Sequence, residues 1–208
     1  MGQAGNAGAN EYVFLTRWRV EGTCGEVADV LGDPAALERW WPSVYLRAEE
    51  LSPGDGRGVG RRARLHTKGW LPYTLRWEFE VVESRYPHGF SLVASGDFEG
   101  RGVWTFDQDG SFVDIVYDWR ISAEKPLLRS LSFLLKPLFE ANHRWAMAQG
   151  EESLKLELAR RRATTDAARR SVPPPPGPIT YAGAALLGGA VVGGAALAYL
   201  VFRSTRRR

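Results

Sequence analysis

The side chains with catalytic potential are scattered along this sequence. His66, His88 and His143 lie far apart, and no pair has the short separation of metal-ligating histidines. Cys24 has no base beside it, and Ser91, Ser95 and Ser111 lack the context of a nucleophile elbow. Arg61 or Arg64 could face inward depending on strand register, but arginines on a solvated strand face are commoner. What does recur at useful spacing is apolar and aromatic. Trp77, Phe79, Trp104, Tyr117 and Trp119 fall on alternate positions of strand-like runs, and Trp41 closes a short helical piece. Phe139, His143 and Met147 share one face of a helix, with Asn142 at its edge. The chemistry this set could do is binding. Aromatic walls enclose an apolar molecule, while an amide and an imidazole orient its carbonyl or hydroxyl. The same residues could instead fill an ordinary aromatic core, with Asn142 and His143 satisfying strand carbonyls.

The elements that must position these residues are legible from periodicity. Tyr12 to Val20 alternates as a strand. Two short helices follow, Cys24 to Leu31 and Ala35 to Trp41, the second opened by Asp33-Pro34 and ended by Pro42. Six further strands are expected over 44–51, 58–66, 73–84, 89–95, 101–107 and 111–122, separated by turns such as Pro53-Gly54-Asp55-Gly56 and Asp109-Gly110. Connections this short imply antiparallel hairpins. Pro126 to Arg162 is helical, and Pro137 divides it into a short and a long helix. Gly150 on the apolar face predicts a close approach to the sheet. The expected fold class is α+β, a bent antiparallel sheet around one long C-terminal helix.

Charge and hydropathy narrow the function. Residues 1–158 carry 18 basic and 23 acidic side chains, so the folded part is net negative and unsuited to nucleic acid. The basic excess of the whole chain comes from nine arginines at Arg160 and beyond. A single cysteine excludes an internal disulfide and suits a reducing compartment. No cofactor is expected. Residues 1–10 lack the apolar core of a signal peptide and read as a disordered leader, followed by a domain over 11–165. An Arg- and Pro-rich linker, 166–178, contains four consecutive prolines, Pro173 to Pro176. Ile179 to Phe202 is 24 residues without a charge, more than the roughly 20 that cross a bilayer as a helix. A basic tail, 203–208, ends the chain. The expectation is a single-pass C-terminal membrane anchor with the domain in the cytoplasm. Ala185, Gly189 and Gly193 have the spacing that permits a homodimer through the membrane, a spacing also found in glycine-rich lipid-facing helices.

Taken together, the cluster DPAALERWWPSV, the strand ending VYDWRI and the helical NHRWAMAQGEESL resemble the SRPBCC superfamily. This is the START-like, polyketide cyclase/dehydrase and lipid-transport group. The resemblance spans about residues 11–162 and implies the helix-grip (Bet v 1-like) fold, with an apolar cavity between sheet and long helix. It favours the ligand cavity over the filled core, with Trp41, Trp77, Phe79, Trp104, Tyr117, Trp119, Phe139, Asn142, His143 and Met147 as its walls. Binding or transport of a hydrophobic small molecule or lipid is the expected function. The alternatives are an aromatase/cyclase-like enzyme acting on a polyketide or related precursor, and an interaction module without a ligand.

Overall fold

The computed structural model describes residues 11–122 and 126–180. The expected leader, the run beyond Thr180 with its small-residue triad, and the basic tail lie outside them. Seven strands form one antiparallel sheet: β1 (Glu11–Glu21), β2 (Tyr45–Pro53), β3 (Arg61–Lys68), β4 (Thr74–Ser84), β5 (Gly89–Gly96), β6 (Glu99–Asp109) and β7 (Phe112–Ser122). Their spatial order is β1-β7-β6-β5-β4-β3-β2, a hairpin meander onto which the first strand is added beside the last. Strict alternation explains which face is inner. On β1, Tyr12, Phe14, Trp18 and Val20 are buried while Val13 and Leu15 are exposed. On β7, Val113, Ile115, Tyr117 and Trp119 are buried in the same way.

β1 and β2 are both sheet edges yet neighbours in sequence. The chain between them folds into α1 (Cys24–Leu31), a 3-10 turn (Pro34–Ala36) and α2 (Leu37–Trp40). Thr23 and Glu26 form a capping box that starts α1. The Asp33 carboxylate accepts from the Ala35 amide at 3.1 Å and starts the turn.

The long helix, α3 (Pro126–Arg162), is continuous through Pro137, so the expected division into two helices does not occur. Proline removes one backbone bond and crowds the preceding turn. The apolar face downstream, buried at Met147, Leu154 and Leu158, holds the helix in place despite that local cost. Gly150 also differs from expectation. It meets the Trp41 indole at the end of α2 rather than the sheet, and a Cβ there would collide with that ring.

Val27, Val30, Trp40, Phe106, Ile115 and Leu158 are fully buried at this end of the molecule. It is tied together by Glu157, which is 1% exposed. Its carboxylate accepts two bonds from Arg39 at 2.7 Å and one from Arg161 at 2.8 Å. Burial works against its charge, but the bonds from Arg39 and Arg161 outweigh it and hold the pKa at about 2. After α3 the chain forms a short helix, α4 (Asp166–Ser171), capped by Thr165, where the sequence suggested only linker.

Candidate ligand-binding site

The other half of α3 does not fill the cup. Between it and the sheet lies a void of about 190 Å³. One wall is the inner face of β4 and β7, contributed by Trp77, Tyr117 and Trp119; Trp41 and Tyr45 close its inner end. Phe139, Asn142, His143 and Met147 of α3 form the opposite wall. Lys68, Gly69 and Tyr73, all half-buried, form the rim where β3 turns into β4.

Two glycines make room for the aromatic wall. Gly100 and Gly102 occupy inward positions of β6 opposite Ile121 and Trp119. A Cβ on Gly102 would lie 2.8 Å from the Tyr117 hydroxyl and 3.0 Å from the Trp119 ring. The rings of Tyr117 and Trp119 therefore lie over bare backbone, 5.6 Å apart and nearly parallel.

The polar groups in this wall are few. Asn142 Oδ1 accepts from the Leu71 amide at 3.2 Å, which fastens the β3–β4 loop to α3. His143 stacks on Phe14 with centroids 4.2 Å apart, and its Nε2 lies 3.5 Å from Thr16 Oγ1. Burial lowers the His143 pKa to about 4, so the imidazole is neutral near pH 7. Burial likewise raises the phenols of Tyr45, Tyr73 and Tyr117 above their ordinary value. Trp77 Nε1 donates to Thr67 Oγ1 at 3.1 Å. The void is thus a mainly aromatic surface with phenol, amide and imidazole groups on it and one ammonium, Lys68, at its rim. Such a wall takes an apolar group and can hydrogen-bond one or two polar atoms on it.

Two expected wall residues lie elsewhere. Trp104 stacks on Tyr117 at 3.9 Å and is buried behind it, packed also against Trp18 and Phe106. Phe79, two positions along β4 from Trp77, lines a second void of about 490 Å³ near α1 and the β2–β3 turn. That second void is more polar, bordered by Asp29, Asp33, Arg57 and Arg61. Arg61 donates to the Gly32 carbonyl there, and Arg64 points outward to Glu49 and Glu78. Neither arginine reaches the aromatic void. Among the described residues no three His, Cys, Asp or Glu side chains gather where they could hold a metal ion.

Sequence reasoning missed Phe14, Tyr45 and Phe98 as wall residues. The inward alternation of β1 marks Phe14 as buried. Phe98 sits beside the turn at Gly96-Asp97, where no periodicity exists to place it.

No protein-family profile and no curated protein matches the sequence. Solved structures do match in shape. The Zhui aromatase/cyclase of a Streptomyces species superposes with a TM-score of 0.60 at 15% identity, covering 74% of this chain and 97% of that one. A Thermus thermophilus protein gives 0.58 at 16% identity, covering 73% of this chain and all of that one. The di-domain aromatase/cyclase BexL gives 0.52 at 14% identity over 71% of this chain and half of that one. The described chain has the helix-grip fold that these structures share, an antiparallel sheet around one long C-terminal helix.

Proposed function

We propose that this protein is a membrane-anchored binder or carrier of a hydrophobic small molecule or lipid, held between the sheet and α3. The observation that carries the reading is the mainly aromatic void closed by neutral His143, with its charged lining residue, Lys68, at the rim. Every titratable wall group whose pKa shifts does so toward its neutral form, which favours an apolar guest over an ionic one. At about 190 Å³ the void is smaller than the roughly 300–1,000 Å³ of ligand pockets in general. It holds part of a ligand, a ring or a length of chain, with the remainder at the Lys68–Tyr73 rim. The uncharged run Ile179 to Phe202 supports the anchor, and the proposal includes a cytoplasmic domain. Among the described residues no helix is long and apolar enough to cross a membrane.

Native mass spectrometry of the detergent-extracted full chain tests the binding reading. A co-purifying hydrophobic molecule is expected. An apo mass alone, together with no uptake of a fluorescent fatty acyl probe, would leave the interaction module standing. The aromatase/cyclase reading draws on the likeness to Zhui and on the phenols of Tyr45 and Tyr117 at the void. It requires turnover of a polyketide precursor that Tyr117→Phe abolishes, whereas a carrier keeps its ligand without converting it.

A further inference from the structure

The Pro-rich stretch after α4 does not leave the domain. Arg160 Nη2 donates to the Pro173 carbonyl at 2.8 Å, and Lys68 Nζ donates to the Ile179 carbonyl at 3.2 Å. Along this stretch Val172, Pro175, Pro176 and Ile179 are half-buried. The two anchors lie at different levels along α3. Arg160 stands in the last turn of α3, while Lys68 stands at the rim of the aromatic void, near Asn142. From Asn142 to Arg162 the helix rises about 30 Å, and an extended proline stretch over 172–179 covers about 22 Å. The strap retraces the C-terminal part of the long helix and delivers residue 179 to the rim.

This matters because Ile179 begins the uncharged run. The rim carries groups suited to a membrane surface, Lys68 at the end of β3 and Trp70 and Tyr73 on the β3–β4 loop; next to it, across Phe139 from Tyr73, the Lys136 ammonium of α3 lies 5.8 Å from the Tyr12 ring. The β2–β3 turn at the far end of β3 exposes Asp55 and Arg57 instead. We propose that the docked strap holds the His143 end of the domain, with its β3–β4 loop, against the lipid bilayer. An apolar ligand then passes between lipid and void without crossing bulk water. This inference rests on reading 179–202 as a membrane span.

The full chain, reconstituted into phosphatidylcholine vesicles containing nitroxide-labelled lipid, tests it. In a Cys24→Ser background, a fluorophore is attached through Pro72→Cys on the loop or Arg57→Cys on the opposite turn. The vesicles should carry the protein upward on flotation, and the label at 72 should be quenched several-fold more than the label at 57. Replacing Pro173 to Pro176 with a Gly-Ser stretch of equal length should abolish that difference while the protein still floats. Equal quenching at the two sites in floating protein overturns the orientation and leaves the anchor intact. A difference that survives the Gly-Ser replacement overturns the role of the strap. Failure to float overturns the membrane span and this inference with it.

Discussion

His143 is neutral because it is buried against Phe14, and that neutrality makes the fold sensitive to acid. Its folded pKa of about 4 lies below the ordinary 6.5, so the unfolded chain takes up the proton first. Stability is therefore complete above about pH 6.5 and falls as pH drops toward 4, by up to about 3 kcal/mol at about 1.4 kcal/mol per unit. Glu157 acts lower on the scale. Its folded value of about 2 against an ordinary 4.5 means that its contribution is present above 4.5 and is lost as pH falls toward 2. Urea titrations between pH 7 and 4 should show a slope that His143→Phe largely removes and Glu157→Gln does not. Tryptophans separate packing from binding at this same scale. Trp104→Ala should cost about 3–5 kcal/mol with little change in bound ligand, because the ring is buried on both sides. Trp119→Ala should cost clearly less and alter the ligand, because that ring borders the void. Equal costs in chemical denaturation, with ligand content unchanged in both, would mark Trp119 as core.

At the scale of the element, α3 is two functional halves in one rod. Its Gly150–Leu158 half is packed, and its Phe139–Met147 half borders empty space. The junction is Gly150, where the Trp41 indole lies against bare helix backbone. Gly150→Ala gains about 1 kcal/mol of helix propensity. It also forces Trp41 from its place, and overpacking of this kind costs about 1–3 kcal/mol. Net destabilisation is expected in thermal melts, and Trp41→Leu in the same chain should recover part of it. Recovery would identify the ring contact as the cause, whereas additive losses would place the fault elsewhere in the helix.

For the whole molecule, the strap and the ion pairs at the far end are what join separate layers. Arg162 donates to Glu26 at 2.7 Å and links α3 to α1, as Glu157 links it to α2. The strap adds its bonds from Arg160 and Lys68 on the outside. A chain ending at residue 170 should still fold as a soluble monomer, since the core is complete without the strap. It should melt a few degrees below a chain ending at 180, because part-buried contacts are lost. An aggregated or molten product by near-UV circular dichroism would mean that the strap is part of the core. For topology, protease added to intact spheroplasts should spare the domain if it lies in the cytoplasm.

Residue periodicity by itself determined the seven strands, the three helical elements of the domain and the inward faces of β1, β4 and β7. These depend on local alternation, which a sequence displays directly. The Asp33–Pro42 cluster, the VYDWRI strand and the NHRWAMAQGEESL helix, taken in their order, carried the helix-grip expectation. Only the tertiary structure decided that α3 runs unbroken through Pro137, because burial of the downstream face outweighs a local penalty. It alone separated Trp77 from Phe79 into different voids and set Trp104 behind Tyr117, since inward direction says nothing about depth. Gly150 drew attention from sequence, but its partner, Trp41, is more than a hundred residues away. The docking of a proline stretch that composition marks as free linker is likewise decided by the surface it meets. Periodicity carries which way a side chain points; what it meets there is set by distant parts of the chain.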